Sequence, residues 1–301
     1  SYQNTSKISH NLLTSCLRRY YQNSLASSDL ANYSFMFNGM RFDAGYVTKQ
    51  NWTGLEIPLW SSSEQCFHHE IPLLPQNIPP NLEEIYNKYT RKVRVRRNGT
   101  IFRLSKLEIA KERMALGFSH DKYLNYKSTM GLLEDETECV LREHDLEVES
   151  AIKDLPLRDF FLPDTKSLAD LNRMQSCGCI VMMALARPDP YNDFALLIQE
   201  RSDKVDDQRK QISFVPQCYH SARQKGDSLI SKREYDLSCT VFNEYYEEMR
   251  GGEDETGEAS NAFLPDGCLD KDSRLSWLKL HRDSFVMEAV ALGIYLMKGD
   301  F

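Results

Sequence analysis

The sequence predicts an α+β protein, and three observations lead to that fold class. Two stretches in the first half carry apolar residues at helical spacing. Short apolar segments bounded by turn residues follow after residue 175, which is typical of strands. A further helical stretch with many glutamates comes after those strands. The chain shows no internal repeat, so its helices and strands are assigned one by one.

Composition and charge exclude several classes of protein. The 301 residues are 41% hydrophobic and 11% aromatic, which is enough to form a core and excludes wholesale disorder. The 37 basic and 44 acidic residues give a net charge of −7, which makes a nucleic-acid partner an unfavoured interpretation. There is no run of 18 apolar residues, so we expect no membrane partner.

The cysteines indicate a reducing compartment. Eight cysteines in a chain of this length are too few for a disulfide scaffold, although four Asn-x-Ser/Thr triplets would fit secretion. We therefore expect a reduced, cytoplasmic protein. A structural zinc site is not favoured, because neither Cys177-x-Cys179 nor Cys66-x-His68-His69 has a second couple at zinc spacing.

The first half is predicted to begin with a helix over Ser9–Asn23, followed by loops and short extended pieces over residues 40–80 and a helix from Asn81. Alternating residues on both sides of Asn98-Gly99 predict a β-hairpin. Its first strand, over residues 92–97, carries basic side chains that either face solvent or face phosphate, and the solvent interpretation is favoured.

The middle of the chain is predicted to hold a helical region over Leu132–Asp154 and then a linker over Leu155–Ser167, where prolines are frequent. This linker divides the chain into an N-terminal α/β region of unknown role, residues 1–165, and a C-terminal domain, residues 170–301.

The C-terminal half contains the segment with recognisable chemistry. Two buried apolar strands joined by a turn are predicted over Cys177–Ala186 and Phe194–Arg201, followed by a short strand over Gln211–Pro216. They are followed by a helix over Asp236–Gly251, the glutamate helix, with Asp236 as its N-cap.

Three carboxylates of the glutamate helix share one face. Glu244, Glu247 and Glu248 fall within an arc of about 100°, and apolar residues occupy the remaining side. Carboxylate oxygens are ligands that suit Mg²⁺ or Mn²⁺. The alternative is an ordinary solvated helix face.

This order of strands and helix resembles the Nudix hydrolase superfamily over roughly residues 175–301. The match lies in Asn243-Glu-Tyr-Tyr-Glu-Glu-Met-Arg-Gly251, with Asn243 where the family has arginine. Val215-Pro216-Gln217-Cys218 stands where the family has a Pro-x-Gly sequence, and the spacing to the helix is longer. The resemblance implies a Nudix-like α/β/α sandwich with a mixed sheet, preceded by a mixed α/β region, as in some large bacterial proteins.

The resemblance also implies a function: hydrolysis of a pyrophosphate bond in a nucleoside diphosphate derivative, with Mg²⁺ or Mn²⁺ as cofactor. Glu244, Glu247 and Glu248 would be metal ligands, with Glu244 and Glu247 the catalytic candidates, and Arg201 would bind substrate phosphate. The partner would be a nucleotide-derived small molecule, and assembly as a homo-oligomer stays open. The alternatives are a catalytically inactive nucleotide-binding or regulatory module, and an interaction protein whose glutamates are surface charge.

The last apolar segment, Asp283–Phe301, is predicted to be a strand that approaches a Lys-Gly-Asp turn without a following partner strand. An unpaired apolar edge is unfavourable, so we expect the chain to continue past Phe301.

Overall fold

The fold is α+β, as predicted. The structure, a computed structural model, describes residues 8–59, 63–71, 77–95, 98–173, 178–180, 182–187, 190–200, 212–214, 216–222, 230, 232–241, 244 and 286–301. Within those ranges, no helix has the length and apolar character needed to cross a membrane.

Among the described residues, seven helices lie in the first 170 positions, and a further helical segment covers residues 237–241 and 244. In chain order they are α1 (His10–Ala26), α2 (Glu83–Thr90), α3 (Tyr123–Lys127), α4 (Leu132–Glu143), α5 (Val148–Ala151), α6 (Pro156–Phe161) and α7 (Thr165–Leu168). The 3₁₀ turns are Gln50–Trp52 and Lys232–Tyr235.

In the part of the chain that the structure describes, the strands form five small sheets. In chain order they are β1 (Ala31–Phe37), β2 (Met40–Thr48), β3 (Thr53–Pro58), β4 (Glu64–His68), β5 (Thr100–Ala110), β6 (Arg113–Lys122), β7 (Gly178–Ile180), β8 (Met183–Ala186), β9 (Phe194–Glu200), β10 (Ile212–Phe214), β11 (Gln217–Tyr219), β12 (Glu288–Ala291) and β13 (Ile294–Tyr295). Their orders are β1-β2-β13, β10-β9-β8, β11-β7, β12-β3 and β4-β6-β5. The apolar run over Cys177–Ala186 was expected to be one buried strand, but its described residues form two, β7 and β8. The expected burial is also wrong, because Ile180 of β7 and Phe194, Leu196 and Ile198 of β9 are exposed.

Helix α1 forms where the sequence predicted a helix. The Ser9 side chain accepts a hydrogen bond from the Leu12 N–H, which satisfies one of the donors left over at a helix start. Leu13, Cys16 and Leu17 recur at helical spacing and are buried, so this face of α1 joins the core.

The predicted hairpin at Asn98-Gly99 is wrong. Residues 93–95 are not in a strand, whereas the segment after Asn98-Gly99 forms β5 from Thr100, as predicted. Asn98 Oδ1 accepts the Leu124 N–H at 2.8 Å, and the Gly99 carbonyl accepts the Tyr123 N–H at 3.0 Å. Both residues therefore satisfy N–H groups at the start of α3 instead of forming a hairpin turn.

The sheet β4-β6-β5, called the large sheet below, contains the two longest of the described strands. Strand β5 is antiparallel to β6, and β4 is parallel to β6. Gly117 allows the sheet to pack closely, because a Cβ at that position would lie 2.6 Å from the His69 Cβ.

Residues 155–167 are not the exposed linker that the prolines indicated. Leu155, Leu157 and Phe161 are at most 1% exposed, and the segment forms α6 and α7. Pro156 is compatible with a helix because it occupies the first helical turn, where no N–H partner is needed. The division of the chain into domains stays a prediction.

Arg158 is fully buried and joins this segment to the C-terminal segment 286–301. Its guanidinium donates to the carbonyl oxygens of Leu133, Leu296 and Met297 at 3.1, 2.9 and 2.6 Å. It also lies 3.3 Å from the Tyr21 hydroxyl. Planar guanidinium groups have several donors in fixed directions, so one side chain can satisfy several carbonyls.

The expectation that the last strand has no partner is also wrong. Strand β12 pairs with β3, and β13 pairs with β2, both antiparallel. Leu296 and Met297 are fully buried. The apolar character of this segment reflects its place in the core of the N-terminal region.

Replacing Arg158 should destabilise the fold. We expect Arg158→Met to lower the free energy of unfolding by about 3–5 kcal/mol, because it leaves buried carbonyls without donors. Arg158→Lys, which keeps the charge but has fewer donors, should cost less. Urea denaturation measures both, with the exposed Arg41→Met as the matched control. Equal stability of Arg158→Met and Arg41→Met would contradict the role assigned to Arg158.

Candidate functional site at the start of the glutamate helix

The glutamate helix begins where it was predicted. Residues 237–241 and residue 244 are helical, and the Asp236 carbonyl accepts N–H groups from Cys239 and Thr240. Glu244 is half-buried on this helix. Glu247, Glu248 and Arg201 lie outside the described residues, so the structure does not test whether the four predicted site residues meet.

His220 connects the start of this helix to the large sheet. Its Nε2 lies 3.0 Å from the Tyr235 carbonyl oxygen, which can only accept, so Nε2 carries the proton. Nδ1 then accepts from the Thr240 hydroxyl at 2.6 Å. The His220 backbone carbonyl accepts the Phe102 N–H of β5 at 2.9 Å. Complete burial lowers the pKa of His220 to about 3, so this link consists of a neutral imidazole.

Strand β4 contributes a second link to the same helix start. Side chains alternate along a strand, so Glu64, Cys66 and His68 lie on one face of β4. The buried Glu64 carboxylate accepts the Ser238 N–H at 3.1 Å, which satisfies a donor of the first helical turn. The Cys66 thiol lies 3.8 Å from the same carboxylate oxygen.

Glu64, Cys66 and Asp236 form a triad, in which one ligand atom from each lies within 4.8 Å of the others. Two carboxylates and a thiol are a mixed donor set. Mg²⁺ and Mn²⁺ favour oxygen ligands, whereas a thiolate favours softer ions such as Zn²⁺, so the triad does not fit the predicted cofactor. The sequence indicated Cys66 only in a Cys/His couple, because nothing local relates it to Asp236.

Beside the triad, His68, His120 and Tyr235 form an aromatic cluster. The two imidazole rings stack with centroids 4.8 Å apart, and His120 Nε2 lies 2.6 Å from the Tyr235 hydroxyl. Burial, and secondarily His68, lower the pKa of His120, while burial raises the pKa of Tyr235. Both shifts favour neutral groups, so this contact is a neutral hydrogen bond that holds the residue preceding Asp236 against β6.

Comparisons with known proteins give no relative for this chain: no family model matches the sequence, and neither a curated protein nor a solved structure matches it.

The buried histidine predicts a pH dependence of stability. Its folded-state pKa of about 3 lies below the ordinary value of 6.5, so acid protonates the unfolded chain first. The contribution of His220 to stability is therefore complete above pH 6.5 and falls by about 1.4 kcal/mol per pH unit as the pH drops from 6.5 towards 3.

The measurement is the difference in unfolding free energy between the wild type and His220→Gln at several pH values. This difference should shrink with falling pH, because glutamine does not titrate. Other groups titrate in both proteins, so their contributions cancel in this difference. Glu136 is one of them, because burial raises its pKa to about 7. Thr240→Val removes one hydrogen bond but keeps the histidine, so it should keep the pH dependence. Parallel curves for wild type and His220→Gln would contradict a neutral buried His220.

Proposed function

We propose that the chain is a metal-dependent hydrolase that cleaves a pyrophosphate bond in a nucleoside diphosphate derivative. The observation that carries the proposal is the order of strands and helix before and at the start of the segment Asn243–Gly251, which resembles the Nudix sequence. Antiparallel strands β9 and β10 precede a helix that begins after Asp236 and includes Glu244. This is the strand and helix order that the resemblance to Nudix hydrolases requires.

The glutamates of the helix are the proposed metal ligands. Glu244 provides a half-buried carboxylate, a donor type that suits Mg²⁺ or Mn²⁺. The sequence places Glu247 and Glu248 three and four residues later, the spacing that puts side chains on one helical face. A bound divalent ion supplies charge neutralisation at the pyrophosphate and activation of water. Glu244 or Glu247 would orient that water.

The proposed substrate is a nucleotide-derived small molecule, with Arg201 as the phosphate ligand. Arg201 follows Glu200, the last residue of β9, and guanidinium groups bind phosphate through paired hydrogen bonds. We also propose a reducing, cytoplasmic location. Cys16, Cys66, Cys139, Cys218 and Cys239 are present as thiols, which fits such a compartment.

A second candidate function is a catalytically inactive module that binds a nucleotide. One observation favours it: Asn243 occupies the position at which the family has an arginine, and asparagine cannot supply that positive charge beside the carboxylates.

The test is hydrolysis of a panel of nucleoside diphosphate derivatives with Mg²⁺. We expect Glu247→Gln and Glu248→Gln each to lower turnover by about 100-fold or more, because metal ligation contributes several kcal/mol to such reactions. Both variants should also weaken Mg²⁺ binding in calorimetry. Glu83→Gln, an exposed glutamate on α2, is the matched control and should leave turnover unchanged.

A further variant distinguishes metal binding at the glutamate helix from metal binding at the Glu64–Cys66–Asp236 triad. Cys66→Ser alters the triad, so it should leave the Mg²⁺ affinity unchanged if the ion binds at the glutamate helix. A wild-type protein that turns over nothing, yet is stabilised by a nucleotide with or without EDTA, would replace the hydrolase with the binding module. Absence of both metal and nucleotide binding would reject both functions.

A further inference from the structure

A cleft of about 710 Å³ lies at the end of the large sheet where β5 turns into β6. Its lining comes from both ends of that turn, from the 3₁₀ turn Gln50–Trp52, from the start of β4 and from residues 169, 171 and 301. This volume is in the range of small-molecule sites. Gln65 of β4 lines the cleft, whereas its neighbour Glu64 points to the opposite face of the strand and contacts the glutamate helix.

The floor of the cleft is apolar. Trp52, Met114 and Phe301 line it and are 7%, 4% and 8% exposed. The rings of Trp52 and Phe301 meet edge to face with centroids 6.3 Å apart. Leu107 and Leu171 extend this apolar lining. Such a floor suits the flat apolar part of a small molecule.

Four charged side chains line the cleft: Asp29, Lys49, Glu108 and Arg113. Lys49 pairs with Asp29 at 2.8 Å and lies over the Trp52 ring, and Glu108 pairs at 2.9 Å with Lys106, which is outside the lining. Arg113 is exposed and has no ion pair among the residues that the structure describes. Its neighbour Glu112 does not line the cleft. Arg113 is therefore the charged side chain of this lining to which the described residues supply no counter-charge.

We propose that the cleft binds a small organic anion, with a flat apolar body on the Trp52–Met114–Phe301 floor and a carboxylate or phosphate on Arg113. A guanidinium group binds either anion through two parallel hydrogen bonds. This binding site is separate from the proposed hydrolysis and requires no metal ion.

The experiment is calorimetric titration of the full chain in EDTA with four probes of one shape: 1-naphthoate, 1-naphthyl phosphate, neutral 1-naphthalenemethanol and cationic 1-naphthylmethylamine. We expect at least one anion to bind saturably and more tightly than the neutral and cationic probes. Comparison of the two anions separates a carboxylate ligand from a phosphate ligand. The Glu247→Gln variant should bind the probes as tightly as the wild type, because Glu247 is not among the residues that line the cleft. Failure of the hydrolase proposal and failure of this proposal can therefore be distinguished.

Arg113→Gln should weaken binding of the anion by about 10- to 100-fold, the usual effect of losing a charge-assisted hydrogen-bonding pair. Lys111→Gln is the matched control, because it removes the same charge two residues away, from a side chain that does not line the cleft. Absence of binding by both anions would overturn the proposal. So would equal affinity for the neutral or cationic probe, or an equal loss in the Lys111→Gln and Arg113→Gln variants.

Discussion

The fold depends on a guanidinium group in its interior. Arg158 is fully buried and reaches the carbonyls of Leu133, Leu296 and Met297, so one side chain connects α4 to the C-terminal segment. The buried carboxylate of Glu136 lies beside it and accepts the N–H groups of residues 157 and 158. These hydrogen bonds offset part of the cost of burying the guanidinium, whose Nε has no hydrogen-bond partner among the described residues. Leu296 and Met297, which accept two of them, directly follow β13, which pairs with β2.

Strand β4 relates the two candidate sites to each other. Because its side chains alternate, Glu64 and Cys66 face the start of the glutamate helix, while Gln65 lines the cleft on the other side. The parallel pairing of β4 with β6 fixes this alternation, since a shift of one residue would exchange the two faces. A ligand in the cleft and the Glu64–Cys66–Asp236 triad would therefore lie on opposite sides of one strand.

Local signals in the sequence predicted the elements that depend on local chemistry. The position of α1, the start of the helix after Asp236 and strand β9 all follow from spacing and turn residues. Contacts between distant residues were not predictable. Ser238 and Glu64 are 174 residues apart, and neither has a local pattern that indicates the other. Asn98-Gly99 carried a strong hairpin signal, yet its polar groups satisfy α3, because tertiary contacts outweighed the local preference.

The polarity of the glutamate helix indicates which acidic group would hold a cation. Glu64 accepts the N–H of Ser238 at the helix start, where the helix dipole is positive and stabilises a carboxylate without a metal. Glu244 lies eight residues after Asp236, about 12 Å further along the axis of an α-helix. The helix predicted over residues 236–251 places Glu244, Glu247 and Glu248 in its second half, where the dipole is negative and adds to their charge. At the start of the helix, the Ser238 N–H offsets the negative charge of Glu64. In the second half, a divalent cation would offset the negative charge of the three glutamates.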